Sequence, residues 1–195
     1  MPPRTRLRDV LLGRDHVCPW WFVWTFDNPL RRMIHDPEQI LGGLVRPGDT
    51  AVDVGCGRGY FTVPLAGLVG PGGRVVAVDL QDEMLAGVRR RAERAGVAGR
   101  VRLHRCGPDR LGVEGPADLV LAFWMAHEVP ERARFLGEVA ALLRPGGHLL
   151  LAEPVLHVAA REVERTIALA EAAGLVRVTS PRIAFSRSAL LRRPA

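Results

Sequence analysis

The chain has 195 residues, enough for one domain with a buried core, and a formal net charge of +6. All 27 basic residues are arginine and most are scattered along the chain, so the charge alone is weak support for a nucleic-acid partner. Three widely spaced cysteines argue against a disulfide framework and a Cys-rich zinc site, and they favour a reducing cytoplasm. No apolar run approaches the ~18 residues of a membrane-spanning helix, so we expect no membrane insertion.

Residues 1–47 are predicted to be an extension ahead of the domain at residues 48–195. Within it, the stretch CPWWFVWTFDNP at 18–29 holds five of the chain's eleven aromatic residues. Aromatic side chains at positions 20, 22, 24 and 26 predict an extended strip with one buried face. Three interpretations stay open: the wall or lid of a pocket for an apolar ligand, packing against the protein's own core, or a membrane or partner surface. His16 and Cys18 lie close by, but two potential ligands are weak evidence for a metal.

From about residue 50, short apolar runs alternate with helical patterns, which is typical of a parallel sheet covered by helices. The predicted strands are 50–55, 74–80, 101–106, 117–123 and 148–154, with two more candidates at 175–181 and 182–188. Helices are predicted over 28–43 with a break at Asp36 and Pro37, over 82–95 with Asp82 as N-cap, and over 159–173. A further helix contains Phe135 to Leu143 and precedes a turn at 145–147.

A glycine-rich turn follows the first predicted strand, in the stretch VDVGCGRGYF at 52–61. Gly55, Gly57 and Gly59 let the backbone approach a ligand closely and adopt positive φ. The helix predicted from about Tyr60 would direct its free N–H groups at the same spot. Asp79 ends the next strand, 20 residues after Gly59. The glycines alone fit a purely structural turn, but a carboxylate at this spacing can accept both hydroxyls of a ribose, which favours a nucleotide-like ligand.

The details of this turn distinguish between two classes of cofactor. A dinucleotide fingerprint is GxGxxG, whereas this chain has GxGxG preceded by an acid, Asp53. The stretch DVGCGRG at 53–59 resembles the first motif of class I S-adenosylmethionine (SAM) dependent methyltransferases, and Asp79 and the LRPGG turn at 143–147 are similar to that family's pattern. The resemblance covers about residues 28–185. It implies a Rossmann-like α/β fold with a doubly wound sheet of seven strands, mostly parallel, with one antiparallel strand near the C-terminus.

The resemblance also implies a set of residues that bind SAM, which would leave as S-adenosylhomocysteine. The glycine loop would hold the methionyl part, Asp53 its ammonium group and Asp79 the ribose. The adenine contact departs from the family, because Gly107 stands where an acid is frequent, and Asp109 or nearby backbone is the candidate replacement. The complete predicted set is Asp53, Gly55, Cys56, Gly57, Gly59, Asp79, Leu80, Cys106, Gly107, Asp109 and Phe123.

The segment after the fourth predicted strand, FWMAHEVPE at 123–131, would face the methyl group that SAM carries. Methyl transfer needs in-line approach of an unprotonated acceptor atom. His127 titrates near neutrality beside Glu128, so these two residues are the candidate catalytic groups, with His127 as base. A capping or packing role for His127 stays open. The predicted acceptor pocket consists of Trp20, Trp21, Trp24 and Trp124.

The absence of other sequence motifs narrows the range of expected methyl acceptors. After the fourth strand there is neither a [DNS]PP[YFW] motif nor a cysteine of the kinds that nucleic-acid methyltransferases use, and no metal site is predicted. The expected function is therefore a cytoplasmic SAM-dependent methyltransferase with a small, partly apolar acceptor. The alternatives are an RNA or protein methyltransferase, which the basic charge permits, and a SAM-binding or nucleotide-binding module without turnover.

Overall fold

The computed structural model describes residues 33–195. Its strands are β1 Thr50–Val54, β2 Arg74–Asp79, β3 Val101–Arg105, β4 Ala117–Phe123, β5 Leu143–Pro154, β6 Val176–Thr179 and β7 Ser186–Arg192. The α-helices from residue 35 onward are α1 Pro37–Leu41, α2 Thr62–Leu68, α3 Asp82–Arg94, α4 Arg132–Leu142 and α5 Ala160–Ala172. Short 3-10 helices lie at Ala98–Arg100 and Ala126–Glu128. Within the described residues, no helix is both long and apolar enough to cross a membrane.

The strands form one seven-stranded sheet in the order β3-β2-β1-β4-β5-β7-β6. The first five strands pair in parallel, β7 runs antiparallel to β5, and β6 runs antiparallel to β7. This topology confirms the predicted sheet with one reversed strand near the C-terminus. The strand order reverses direction between β1 and β4, and ligands of open α/β sheets bind beyond the carboxyl ends of the strands at such a point.

The central strands are buried on both faces of the sheet, which explains why they are almost continuously apolar. On β1, Val52 faces a core that includes Leu136 and Val139 of α4 and Ile167 of α5. Its neighbour Ala51 faces the opposite core, which contains residues of α1 and α2. The alternation of side chains along each strand therefore divides the apolar residues between two helical layers.

Two predicted boundaries are wrong near the C-terminal half of the sheet. The LRPGG stretch was expected to be a turn, but β5 already begins at Leu143 and the pairing with β4 shifts its register there. Gly146 at φ +80° lies in this irregularity, and a Cβ on Gly147 would lie 2.9 Å from the carbonyl oxygen of Ala117. The glycines therefore form a bulge where two backbones approach closely. The last strand begins at Ser186, after the predicted start at 182.

One helix start differs from the prediction and another confirms it. Asp82 is the first residue of α3, and Gln81 is the N-cap without a capping side-chain hydrogen bond. The helix predicted over 28–43 restarts at Pro37, where the Oδ1 atom of Asp36 accepts a hydrogen bond from the Glu38 N–H at 2.9 Å. The expected break at this Asp-Pro pair is confirmed, and the side chain before the proline provides the new helix with its cap.

Candidate active site

The glycine loop links the end of β1 to α2 and has left-handed backbone at three positions. The φ angles are +65° at Gly55, +53° at Gly57 and +87° at Gly59. A Cβ on Gly55 would lie 2.7 Å from the Cβ of Met125, a distance that real Cβ atoms essentially never show. The glycine at this position therefore serves two purposes: it permits the turn, and it lets the segment after β4 pack directly on the loop.

Asp53 and Asp79 are both buried at the carboxyl ends of their strands. The Oδ2 atom of Asp53 accepts a hydrogen bond from the Thr62 hydroxyl at 2.6 Å, which ties β1 to the start of α2. Asp79 accepts hydrogen bonds from the N–H groups of Gly57 and Gln81, both at 3.0 Å. Burial raises the pKa of Asp79, and the hydrogen bonds from Gln81 and Gly57 oppose that increase. Asp79 is thus a buried carboxylate fixed by backbone against the glycine loop.

Cys56 and Cys106 occupy positions beside the same two aspartates. Their N–H groups donate to Val78 O at 3.0 Å and Asp79 O at 3.1 Å, respectively, which extends the sheet by one residue at each point. Burial raises the pKa of Cys56 well above its ordinary value, and the charges of Asp53 and Asp79 add to the increase. Burial also raises the pKa of Cys106. Both thiols are therefore protonated near neutral pH, and Cys56 acts as a small residue rather than a nucleophile.

The predicted adenine side is more open. Leu80 is half-buried and Gly107 is exposed, with the Gly107 N–H donating to Arg110 O at 3.1 Å. The Asp109 side chain is mostly exposed and lies 3.7 Å from the guanidinium of Arg134. A Cβ built on Gly107 would lie 3.5 Å from Asp109 Oδ1, so the carboxylate is close to the position where the acid was expected. A contact between Asp109 and adenine stays a prediction.

The aromatic side of the site lies at the end of β4. The Phe123 ring packs against Phe61 and His35, with ring centroids 4.4 and 5.3 Å apart, so its side chain belongs to the core. Trp124 has φ +59°, and its Nε1–H donates to Ser186 Oγ at 2.9 Å. Of the predicted acceptor-pocket residues, Trp124 is the described one. The other three, Trp20, Trp21 and Trp24, lie outside the described residues.

His127 is held by a carboxylate that the sequence analysis missed. The His127 N–H donates to Glu153 Oε1 at 3.0 Å, and its ring Nδ1 lies 2.6 Å from Glu153 Oε2. Glu153 is only 1% exposed at the end of β5. Because a carboxylate is an acceptor, Nδ1 carries the hydrogen and Nε2 is left as the titrating nitrogen. Burial lowers the pKa of His127, but the hydrogen bond and charge of Glu153, with the charge of Glu128, outweigh it and raise the pKa.

A second histidine, also absent from the predicted site, completes this cluster. The Nε2 atoms of His157 and His127 are 3.1 Å apart, and Glu128 Oε1 is 3.9 Å from the same His127 nitrogen. Glu153 had a signal in the sequence, since it is the one acid in the apolar run HLLLAEP, whereas His157 had none. Among residues 33–195, no group of three or more His, Cys, Asp or Glu side chains is arranged to hold a metal ion. His16 and Cys18 lie outside that range.

A family model described as "Methyltransferase domain" matches residues 51–147, which run from β1 through the glycine loop, Asp79 and His127 to the bulge in β5. The chain belongs to the class I SAM-dependent methyltransferases. A SAM-dependent methyltransferase from Aquifex aeolicus shares the fold with a TM-score of 0.80 at 22% identity, over 90% of this chain and 98% of that one. The resemblance read from the motifs is therefore confirmed.

Two curated relatives differ in what they methylate. Nocamycin O-methyltransferase from Saccharothrix syringae is 39% identical over 111 residues, which are 56% of this chain and 39% of that protein. Ribosomal protein L11 methyltransferase from Pelotomaculum thermopropionicum is 41% identical over 137 residues, 70% of this chain and 41% of that protein. The matched region spans less than half the length of each relative.

The residues of this methyltransferase fit SAM at the carboxyl ends of β1 and β2. When bound, SAM supplies an electrophilic methyl group on a sulfonium. The left-handed glycines keep side chains away from the loop surface, and Asp79 keeps a buried carboxylate beside it. A buried carboxylate gains most from charge-assisted hydrogen bonds, and the vicinal hydroxyls of a ribose are donors of that kind. The individual contacts predicted for Asp53, Asp79 and the adenine side stay predictions.

Proposed function

We propose that this protein transfers a methyl group from SAM to a small, partly apolar acceptor in the cytoplasm, with His127 as general base. The observation that carries this proposal is the packing of Met125 on Gly55. Met125 lies two residues before His127, so the contact brings the segment with the histidine onto the loop assigned to the methionyl part of SAM. Chemistry in open α/β sheets occurs at this edge, which supports the assignment.

The chain's own residues would divide the work as follows. The glycine loop and Asp79 would hold the donor, which would supply its methyl group to an acceptor at the segment after β4. His127 accepts the acceptor's proton at Nε2, while Glu153 keeps the Nδ1 hydrogen in place and stabilises the imidazolium that results. A positioned base of this type typically contributes ~10² to 10⁴ in rate.

Three observations support a small acceptor with apolar character. One relative, nocamycin O-methyltransferase, is named for a small-molecule acceptor. The rings of His35 and Trp124 pack edge to face with centroids 5.0 Å apart, next to the segment that carries His127. His35 belongs to the described part of the extension, residues 33–47, so this part of the extension contacts Trp124. We therefore propose that the extension at residues 1–47, with its aromatic segment, covers the acceptor.

Native mass spectrometry of the purified protein is the first test of the function. We expect co-purified SAM or its demethylated product, and candidate acceptors should gain 14 Da per transfer, the mass of CH₂ in ordinary methylation chemistry. Failure to bind SAM in calorimetric titration would contradict the proposal. Binding of SAM without transfer to any acceptor from the producing cell would favour a SAM-binding module without turnover.

Deletion of residues 1–26 tests the proposed cover. We expect the shortened protein to fold and bind SAM but to lose acceptor turnover or specificity. Unfolding of the shortened protein would favour a core-packing role for the aromatic segment. Co-sedimentation of the full-length protein with lipid vesicles, lost on deletion, would favour a membrane-surface role.

A protein or RNA acceptor is the second candidate. It is favoured by the ribosomal protein L11 methyltransferase among the relatives and by the net charge of +6. Incubation of the protein with radiolabelled SAM and, separately, ribosomal proteins, total RNA and a small-molecule extract distinguishes the candidates. Label in the small-molecule fraction alone supports the main proposal, and label in protein or RNA overturns the acceptor class while leaving the methyl transfer intact.

A further inference from the structure

We propose that His127 and His157 act as a two-histidine proton relay, in which His157 occupies the proton-accepting nitrogen of His127 until the acceptor arrives and afterwards passes the acceptor's proton to water. The inference rests on the proposed function and assigns a role to His157, a residue that touches His127 rather than the reacting atoms. In this relay His157 is a positioning residue and His127 is the base.

The contact between the two rings has the geometry of a hydrogen bond. The Nε2 atoms are 3.1 Å apart, and the rings meet edge to face at 72° with centroids separated by 4.9 Å. Because Nδ1 of His127 is committed to Glu153, Nε2 is the nitrogen through which this ring takes or gives a second proton. Two nitrogens at this distance hold one hydrogen between them, since two hydrogens would repel. The pair therefore carries at most one excess proton while the contact lasts.

Charged groups reach His127 from several elements. Glu153 comes from β5, Glu128 from the same 3-10 helix as His127, and Arg132 from the start of α4. The guanidinium of Arg132 is itself bound to the Thr166 hydroxyl at 3.0 Å and lies 3.3 Å from Glu162 on α5. The carboxylate in direct contact with the imidazole is thus Glu153, and it favours a proton on His127.

The surroundings of His157 favour its neutral form. Partial burial of the ring lowers the pKa of His157 first, the charge of His127 lowers it further, and the charge of Glu153 opposes both effects. Arg187 of β7 pairs in register with Glu153 and donates to Val158 O at 3.1 Å, so a cationic group also borders the segment that carries His157. When the pair holds one excess proton, that proton resides on His127, and the Nε2 atom of His157 accepts a hydrogen bond from it.

The position of His157 allows it to release the proton to solvent. It is exposed in the connection between β5 and α5, next to Leu156, which is 85% exposed. The two exposed residues stand between Pro154 and the buried Val158, and the Val158 N–H donates to Pro154 O at 3.1 Å. His157 can therefore leave His127 by a side-chain rotation at an anchored turn and return without rearrangement of the core.

The proposed reaction begins when His157 rotates away from His127. The acceptor X–H then takes its place at Nε2 of His127. The X–H bond breaks, its hydrogen goes to Nε2 as a proton, and the electron pair of X forms the bond to the methyl carbon. The carbon–sulfur bond breaks with its electrons on sulfur, which leaves as a neutral thioether. His157 then returns, accepts the proton from His127 at its own Nε2, and releases one to water.

The test uses the whole chain, with and without S-adenosylhomocysteine, and follows each histidine ring by ¹⁵N-edited NMR from pH 5 to 9. Single His→Gln variants at 127 and 157 assign the signals and remove one member of the pair. His148→Gln, in the middle of β5, is the matched control. We expect the titration of His157 to move to higher pH in His127→Gln, because the neighbouring positive charge is gone. His157 signals that titrate identically in the wild type, the His127→Gln variant and the control overturn the relay.

A kinetic measurement supports or overturns the same point independently. With an acceptor from the mass-spectrometric search, His157→Gln should lower turnover several-fold, leave SAM affinity unchanged and make the rate depend on the concentration of imidazole buffer, which substitutes as proton carrier. Turnover that is independent of buffer and equal to that of the wild type overturns the relay. Loss of SAM binding by the wild type would instead contradict the proposed function, and the NMR coupling between the rings would still be decided by its own outcome.

Discussion

The two halves of the site both place a buried carboxylate at the carboxyl end of a strand, but they give it different partners. Asp79 is held by two backbone N–H groups, whereas Glu153 is held by the ring and the N–H of one histidine. Backbone donors keep their hydrogens at every pH that the fold survives, so the half proposed to bind the cofactor is a fixed surface. The His127 half changes charge at a pH above the ordinary pKa of histidine, because Glu153 and Glu128 raise the pKa of His127. We therefore expect a pH range over which turnover changes with pH but SAM binding does not.

The substitution with the largest expected effect removes the titrating group of the His127 half and leaves the other half intact. His127→Ala removes the proposed base, and turnover should fall ~10² to 10⁴-fold while SAM affinity changes little. In the wild type the rate should rise with pH through an apparent pKa above the ordinary value for histidine, because the base must be neutral and its pKa is raised. Steady-state kinetics from pH 6 to 9 check both points. Turnover of the variant within a few-fold of wild type would remove His127 from the catalytic residues.

The substitution with the next largest expected effect removes the carboxylate of the Asp79 half. Asp79→Ala removes an acceptor of charge-assisted hydrogen bonds, each typically worth about 1.5 to 3 kcal/mol before water compensates, so SAM affinity should fall at least ~10-fold. Calorimetric titration measures the change, and His127→Ala serves as the control with unaltered affinity. Unchanged affinity in the Asp79 variant would mean that the ribose lies elsewhere.

The contact between the halves can be tested through stability. Gly55→Ala places a side chain in left-handed backbone and against Met125, so unfolding should become easier by about 2 kcal/mol or more. Gly96→Ala is the matched control, because Gly96 has a similar φ of +68° and no atom within 4 Å of the added Cβ. We expect about 1 kcal/mol there. Equal losses in urea denaturation would show that Met125 yields without strain.

The substitution with the smallest expected effect tests how the His127 half responds to pH. Glu153→Gln keeps a hydrogen-bond acceptor but removes the charge that raises the pKa of His127, so the rate profile should move to lower pH. A histidine with a raised folded pKa stabilises the fold below its unfolded value near 6.5, and this contribution is lost as the pH rises through the folded value. The wild type should therefore exceed the variant in melting temperature by more at pH 6 than at pH 8. A constant difference would contradict the coupling.

Sequence reasoning placed correctly those features that depend on backbone conformation and local spacing. The glycine loop, Asp79 and the parallel strands were predictable because a turn, a strand end and an apolar run each leave a mark within a few residues. The partners of His127 were not, since Glu153 and His157 lie 26 and 30 positions away and meet it only through the pairing of β4 with β5. The bulge in β5 was misjudged for a related reason: a Pro-Gly-Gly sequence fits a turn as well as an irregular strand.

Trp124 keeps its bulky side chain on a backbone at φ +59°, a conformation that glycine would adopt without penalty. Its N–H donates to Ala152 O at 2.8 Å and its indole to Ser186, so both ends of the residue are tied to the sheet. For protein engineering this makes position 124 unusual. Trp124→Gly would relax the backbone by about 1 to 3 kcal/mol while opening space beside the segment of His127. The position is therefore suited to enlarging the range of acceptors, because the relaxation offsets part of the stability that most pocket-enlarging substitutions lose.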